Sequence, residues 1–407
     1  MKNLKTKMVF AIMLLMVALI PAVSAQKEDN YSVTAEEALE HANAHMISFI
    51  ASDAPNFENW TGASIDPKPL ELYDINGQKL FYQFSVYKNN NLIGRIDVCT
   101  DKTLGASVNN IEFGSKPFKV AEATKKSIEI AKNRYPTREI KSTNMVVYSY
   151  PRIGAMTVVK DKTTGKEYRI FVDAYTLDEV EDKPATEIEP GVWSMYDQLL
   201  MNGKDNNLKE WKKSDQLTNS IEQAASNKKV NINVSVTEEN MKKLSTDAAT
   251  TLITGKNLSV PLYGQERNYY CGPASCQMIG KYICNIYRTQ NYIYDFQGWH
   301  NHNDPDGGIS DSDAEDYCGY SQQEGGLGQS GTQINTIMSF TTAKTEINNY
   351  RPFFTMIPGH FRVCYGYGDT GIGLYYIYIN DPLPVGSGHQ TVEVNGAQER
   401  KRIYVRP

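Results

Sequence analysis

The sequence predicts an α+β protein with two N-terminal repeats and a separate C-terminal domain. Three observations predict this class. Residues 33–180 contain a helix followed by strand hairpins twice, at an offset of about 85 residues. The composition changes near residue 250, which indicates a domain boundary. Residues 271–282 then have helical periodicity, and strand-like runs follow between residues 360 and 381.

The first 25 residues have the pattern of a secretory signal peptide. Three lysines lie among the first seven residues, residues 8–20 are apolar, and Pro21 precedes small residues that end at Ala25. This apolar run is shorter than the ~20 residues that span a bilayer, so we expect cleavage after Ala25 and no membrane contact beyond the signal peptide. The protein is therefore predicted to be secreted, or to act on the exterior side of the cell envelope.

The composition excludes several classes of protein. With 41% hydrophobic and 22% charged residues, the chain is not collagen-like, wholly disordered or a multi-spanning membrane protein. The net charge of -5 argues against a nucleic-acid partner, because such a partner requires a basic surface. Six cysteines are too few for a disulfide-dense scaffold. The disulfide expected first in an oxidising compartment joins Cys276 or Cys284 to Cys318.

The two repeats are predicted from helical spacing followed by alternating apolar residues. The first helix covers residues 33–51, where Thr34 is the expected N-cap and Glu37 completes a capping box. The second helix covers residues 120–134. The predicted strands are residues 70–75, 79–87 and 92–100 in the first repeat, and residues 145–150, 155–160 and 167–174 in the second.

The end of the second repeat carries a family resemblance. Its sequence, KEYRIFVDAYTLDEVED, resembles the end of a PepSY-type module. PepSY-like modules often occur in the propeptides of secreted peptidases. The resemblance implies that residues 26–180 are two PepSY-like propeptide modules.

Residues 181–250 are polar and rich in lysine, with helical character around residues 196–213. Beyond residue 250 only four lysines remain, whereas 16 of the 26 tyrosines lie there. We therefore predict a linker and activation segment over residues 181–250 and a domain over residues 251–407. Accessible polar segments are the ones that proteases cut, so we expect processing between about residues 235 and 258.

Residues 260–283, VPLYGQERNYYCGPASCQMIGKYI, carry the clearest chemistry. Pro273 suits a first helical turn, because its missing N–H would have no intrahelical partner there. Cys271 therefore lies at a helix N-terminus, where the helix dipole stabilises a thiolate and lowers the thiol pKa. Gly272 is expected to let a substrate backbone approach closely. Gln265, six residues upstream, is a candidate donor to the oxyanion of a tetrahedral intermediate.

A nucleophilic thiol also needs a base. Of the six histidines, His360 is the best candidate, because it follows a Pro-Gly pair and opens the strand HFRVCYGY. The next strand, LYYIYIND, ends at Asp381. In an antiparallel pair the start of one strand lies beside the end of the next, so Asp381 can orient His360. Asn380 is the alternative orienting residue.

These features, in this order, resemble the C39-like peptidases of the papain-like cysteine peptidase superfamily. The resemblance covers about residues 258–385 and depends on Gln265, Cys271-Gly272-Pro273, His360 with Gly366-Tyr367 behind it, and Asp381-Pro382. It implies a papain-like fold, in which a helical half that opens with the nucleophile packs on an antiparallel sheet. It also implies a nucleophile, base, orienting acid and oxyanion donor, which are Cys271, His360, Asp381 and Gln265. Residues 295–331 depart from the family pattern, because they are longer and more acidic than a minimal member needs.

The expected function is a secreted cysteine endopeptidase made as a zymogen. Residues 251–407 are the expected mature enzyme, which acts on protein or peptide substrates, has its own propeptide as a partner and requires no cofactor. Two alternatives remain open. One is an acyl-transferring, transglutaminase-like enzyme that uses the same residues, and the other is a non-enzymatic cell-surface binding protein.

One loop is a weaker candidate for a structural calcium site. It is rich in glycine and in carboxylates, which are the hard oxygen ligands that Ca²⁺ prefers. Its candidate ligands are Asp304, Asp306, Asp311 and Asp313. The spacing is not that of an EF-hand, and a solvated acidic loop is the simpler interpretation.

Overall fold

The computed structural model describes residues 31–114, 116–231, 238–245, 253–300, 307–394, 396 and 398–407. The chain divides into two units after residue 32, and the fold described below is that of the second unit, Val33–Pro407. The predicted signal peptide and its cleavage after Ala25 lie outside the described residues. Within the described part of the chain, none of the helices combines the length and the hydropathy that crossing a bilayer requires.

Helices and strands alternate along the described residues. The α-helices are α1 (Ala35–Ala51), α2 (Val120–Arg134), α3 (Met195–Leu200), α4 (Lys204–Lys228), α5 (Glu238–Ser245), α6 (Cys271–Cys284), α7 (Gln290–Tyr294), α8 (Asp311–Gly319) and α9 (Phe340–Asn348). The strands of the first part are β1 (Ser64–Ile65), β2 (Leu70–Asp74), β3 (Lys79–Lys88), β4 (Asn91–Cys99), β5 (Val108–Phe113), β6 (Glu139–Ser149), β7 (Arg152–Lys160), β8 (Glu167–Asp173) and β9 (Glu179–Val180). The later strands are β10 (Thr254–Asn257), β11 (Gln333–Asn335), β12 (Phe353–Ile357), β13 (His360–Asp369), β14 (Tyr375–Asp381), β15 (His389–Val394) and β16 (Lys401–Tyr404).

These strands form one sheet, in the order β11-β16-β12-β13-β14-β15-β5-β4-β3-β2-β6-β7-β8-β9, and β1 and β10 pair with β3 and β13. Neighbours pair antiparallel except β2 and β6, which pair in parallel where the two predicted repeats meet. This arrangement confirms the mixed α+β class. The predicted helices and strands of both repeats are present, whereas β5 was not predicted.

The first helix begins as predicted but is capped differently. Thr34 is the N-cap, and its hydroxyl accepts a hydrogen bond from the Glu37 backbone N–H at 3.2 Å. The Glu37 carboxylate does not complete a capping box, because it pairs instead with Lys102 at 2.7 Å. A nearby ammonium competes with a backbone N–H for the carboxylate, and the sequence pattern carries no sign of that neighbour.

The segment that we predicted as a linker contains packed helices. α3 and α4 lie within residues 181–250, and α4 contacts both α1 and α5. Trp211, Leu217 and Ile221 of α4 are buried at helical spacing, while Lys204, Lys209 and Lys212 face solvent. Residues 195–228 are therefore tied to the body of the protein. Part of the predicted processing region, residues 235–237 and 246–252, lies outside the described residues.

The N-terminal and C-terminal parts share the sheet and a hydrophobic core. β5 pairs with β15 from Gln390 opposite Phe113 to Glu393 opposite Asn110. Above this joint, the Phe49 ring of α1 contacts the Tyr376 ring of β14, with centroids 4.6 Å apart. These contacts join the two predicted domains into one folded body.

The C-terminal part places helices against one sheet segment. α6 packs on β13 and on the helices α7 and α8. β12, β13, β14 and β15 run antiparallel to their neighbours. The N-terminus of α6 thereby comes to the start of β13 and the end of β14.

Candidate active site

Cys271 is the first residue of α6, as the sequence predicted. Its side chain is buried, with 8% of the residue exposed. Gly272 has a different role from the predicted one. A Cβ at Gly272 would collide with the Ile309 side chain, so glycine permits close packing behind the thiol.

His360 and Asp381 lie side by side at the ends of β13 and β14. The pairing of Val363 with Asn380 sets the register of the two strands. The His360 Nε2 lies 2.8 Å from the Asp381 Oδ1, and both residues are buried. The same carboxylate oxygen accepts the backbone N–H of Leu383 at 2.8 Å, which fixes the carboxylate in place.

The other ring nitrogen of His360 is available to interact with the Cys271 thiol. The Cys271 thiol and the His360 imidazole lie close enough to shift each other's pKa. Because Nε2 is occupied by Asp381, Nδ1 is the nitrogen left for the sulfur. The structure thus brings Cys271, His360 and Asp381 into a single line, which is the arrangement that a nucleophile, its base and an orienting acid require.

The electrostatic interactions favour the ionised forms of Cys271, His360 and Asp381. Burial would raise the pKa of the Cys271 thiol, but the hydrogen bond to His360 and its positive charge hold the pKa below the ordinary value. Burial would lower the pKa of His360, but Asp381 and Cys271 raise it to about 9. Burial also opposes ionisation of Asp381, but His360 lowers its pKa to about 2. The charges of the three side chains therefore stabilise one another.

Asn380, the alternative orienting residue, and His389, which lies opposite Asp381 on β15, have other partners. Asn380 donates from Nδ2 to the Val260 carbonyl at 3.1 Å and accepts from Gln390 at 2.9 Å, so it holds the strand to its neighbours. The His389 Nδ1 lies 2.5 Å from the Leu383 carbonyl oxygen. Neither contact supports a direct interaction of Asn380 or His389 with Cys271 and His360.

Gln265 is fully buried, and its side chain does not present a free donor. Its Nε2 donates to the backbone carbonyls of Arg267 and Asn268, each at 2.7 Å. The side chain therefore braces the loop that leads to Cys271. The backbone N–H of Cys271 is a further candidate oxyanion donor, because the first N–H groups of a helix have no intrahelical partner.

The acidic loop does not form the predicted cation site within the described residues. Asp304 and Asp306 lie outside those residues. Asp311 pairs with Lys401, and Asp313 caps α8 in a capping box with Ser310. No cluster of three or more metal-binding side chains occurs in the described ranges. The cysteines described here are likewise all free thiols, so the predicted disulfide to Cys318 is not formed in this structure.

A loop of the N-terminal part lies against the site. We call residues 183–192 the strap. A Cβ at Gly359, directly before His360, would lie 2.9 Å from the Glu189 carbonyl oxygen and from the Pro190 Cα. Lys401 holds the strap in place by an ion pair with Glu187, at 3.1 Å. Sequence reasoning missed this contact, because nothing local in residues 183–192 indicates it.

A comparison with known families finds a match in the part of the chain that contains these residues. Residues 257–406 match the model of the Peptidase_C39 like family. The match includes Cys271, His360 and Asp381, and it supports a C39-like peptidase domain in this part of the chain. No curated protein matches the chain. The PepSY-like assignment of residues 26–180 stays a prediction.

Proposed function

We propose that this protein is a secreted cysteine endopeptidase made in a latent form. The observation that carries the proposal is the buried line of Cys271, His360 and Asp381 at the N-terminus of α6. The family match of residues 257–406 supports the peptidase class. Export is proposed from the signal-like pattern of residues 1–25.

In the proposed mechanism, the Cys271 thiolate attacks a peptide carbonyl and forms a C–S bond. The backbone N–H of Cys271 donates to the oxyanion of the tetrahedral intermediate. His360 gives its proton to the leaving amine, which departs and leaves a thioester. The neutral imidazole then takes a proton from water, and the hydroxide releases the acyl group. Asp381 keeps the ring oriented throughout.

We propose latency because the strap and the surrounding residues cover the site. Cys271 and His360 expose only 8% and 6% of their surfaces. The strap lies against the residue that precedes His360, so a peptide must displace it to reach the pair. We propose that a cut between about residues 235 and 258 begins activation.

The first test combines alkylation with mass spectrometry. A thiolate reacts with iodoacetamide far faster than a thiol, so we expect Cys271 to be labelled first, even below pH ~8.5. The half-exposed Cys284 is the matched control on the same helix, because burial raises its pKa. Cys271→Ala should lose hydrolysis, whereas Cys284→Ser should keep it. Hydrolysis by Cys271→Ala, or preferential labelling of another thiol, would overturn the proposed function.

The same spectra report the cut. A C-terminal fragment of about 17 kDa is expected, in proportion to 45.8 kDa for the whole chain. Because β5 pairs with β15, we expect both fragments to elute together in native buffer and to separate in denaturant. Cys271→Ala should stay uncut if cleavage is autocatalytic. Full activity without any cut would contradict the latent form, and free elution of the fragment would contradict the shared sheet.

Gln265 offers a separate test of loop bracing against oxyanion binding. Gln265→Ala leaves two backbone carbonyls without their donor, so we expect a loss of about 1–3 kcal/mol in the free energy of unfolding. The buried position of Gln265 makes this effect on stability larger than an exposed amide would give. Urea denaturation and kcat should be measured on the same samples. Unchanged stability with kcat reduced by ~10²-fold would instead assign Gln265 to the oxyanion.

A further inference from the structure

A cavity of about 410 Å³ lies between the N-terminal and C-terminal parts, next to the proposed catalytic residues. Its C-terminal wall includes Asn268 and Tyr269, just before Cys271, and Leu383, just after Asp381. Its N-terminal wall includes Tyr148 and Arg152. A peptide held at Cys271 therefore has space on this side for a neighbouring group.

Arg152 is the first residue of β7, and its guanidinium lines this cavity. Its Nη2 donates to the Asn268 carbonyl at 3.4 Å, and Tyr148 belongs to the same lining. Its contacts among the described residues include no carboxylate. Through its hydrogen bond to the carbonyl, Arg152 reaches the loop residue Asn268, which lies three residues before the reacting sulfur of Cys271.

The other charges around the cavity are largely matched within the protein. Lys183, the other cation of the lining with a permanent charge, pairs with Glu181 and Glu189 at 3.5 and 3.2 Å. Two acids of the lining also form ion pairs. Glu112 lies 3.4 Å from Arg95, and Glu179 lies 2.7 Å from Arg134. The Tyr148 hydroxyl donates to Asp173 at 2.7 Å, and Asp178 is exposed to solvent. Arg152 is therefore the cation of the lining that remains available to pair with an anionic ligand.

The N-terminal wall is built into the protein. The β5–β15 pairing continues the sheet across the joint between the two parts. Tyr150, two residues before Arg152, is buried, and β7 is paired on both sides, with β6 and with β8. Arg152 is thus held on a rigid strand that remains attached to the C-terminal part.

We propose that Arg152 is a specificity-determining residue that binds a carboxylate of the peptide substrate in this cavity. The N-terminal part then forms one wall of the substrate site and is not simply a disposable cover. This inference rests on the proposed peptidase function. A carboxylate comes either from an acidic side chain or from a free peptide C-terminus, and both suit the bidentate guanidinium.

The test uses matched peptides on the full-length protein. One series carries Glu or Gln at each position near the cleaved bond, and the other has a free or amidated C-terminus. Wild-type kcat/KM should favour the carboxylate in one series by about 10- to 100-fold, as expected for a charged hydrogen bond. Arg152→Gln should remove this preference, and Arg152→Lys should restore part of it. Lys160→Gln is the control, because it removes one positive charge from the exposed far end of β7.

A binding measurement separates this inference from the proposed function. The same peptides are titrated into Cys271→Ala and into the Cys271→Ala, Arg152→Gln double variant, with fluorescence anisotropy as the readout. Tighter binding of carboxylate peptides that requires Arg152 supports the inference even if the wild type hydrolyses nothing, which would refute the peptidase proposal. Equal binding of paired peptides, or a preference that survives Arg152→Gln, would overturn the inference.

Discussion

Replacing His360 with alanine should abolish measurable peptide hydrolysis, with a fall in kcat of about 10⁴-fold. The His360 ring both stabilises the Cys271 thiolate and supplies the proton for the leaving amine. It is buried between Cys271 and Asp381, and the described residues offer no second histidine in that position. Steady-state kinetics on folded protein, verified by circular dichroism, would measure the loss.

The pH dependence of iodoacetamide labelling gives the signature of the pair. In the wild type, the imidazolium beside Cys271 lowers the pKa of its thiol, so we expect labelling to begin at a lower pH than for an ordinary thiol. In His360→Ala that charge is missing, while the burial that raises the pKa of Cys271 remains, so labelling should move to alkaline pH. Hydrolysis by the wild type should fall above pH about 9, where His360 loses its proton. Identical labelling profiles would show that His360 is not the partner and would make His389 the next candidate.

Two further variants test whether the residues act as one unit. The double variant Cys271→Ala, His360→Ala should be scarcely worse than either single variant, because each removes the same chemistry. Asp381→Asn should cause a smaller loss than His360→Ala, because Asp381 only orients the ring. Additive losses in the double variant would mean that the two residues work independently.

The second large effect is expected on stability, at a buried ion pair beneath the joint of the two parts. Arg362 and Glu393 are both fully buried, and their side chains form a two-point contact. The Thr355 hydroxyl accepts a further hydrogen bond from Arg362 at 3.1 Å. Glu393→Ala would leave an unpaired guanidinium in the core, so we expect a loss of about 3–5 kcal/mol in the free energy of unfolding.

Urea denaturation of the intact protein measures this loss. The control is Glu71→Ala, since the exposed pair of Glu71 with Lys79 is expected to contribute at most about 1 kcal/mol. The double variant Arg362→Met, Glu393→Leu should recover much of the lost stability, because it removes both charges at similar volume. Equal stability of Glu393→Ala and the wild type would show that this pair contributes nothing to the joint.

The sequence was sufficient for the parts of the site that depend on short segments. Helical spacing after Cys271, with Pro273 in the first turn, predicted the N-terminus of α6. The boundaries of β13 and β14 predicted that His360 and Asp381 meet, because adjacent antiparallel strands bring those ends together. The two helix-and-hairpin repeats followed in the same way from local periodicity.

Contacts between distant segments were decided by the tertiary structure. The sequence of β5, VNNIEF, contains two asparagines and does not read as a central strand, yet it joins the two parts of the sheet. The direction of the Gln265 amide depends on the carbonyls of a folded loop. Arg152 lies more than a hundred residues from Cys271 in sequence and reaches the site only through the shared sheet. Local propensity and periodicity specify each element, whereas the partners of an element depend on burial and strand pairing across the whole chain.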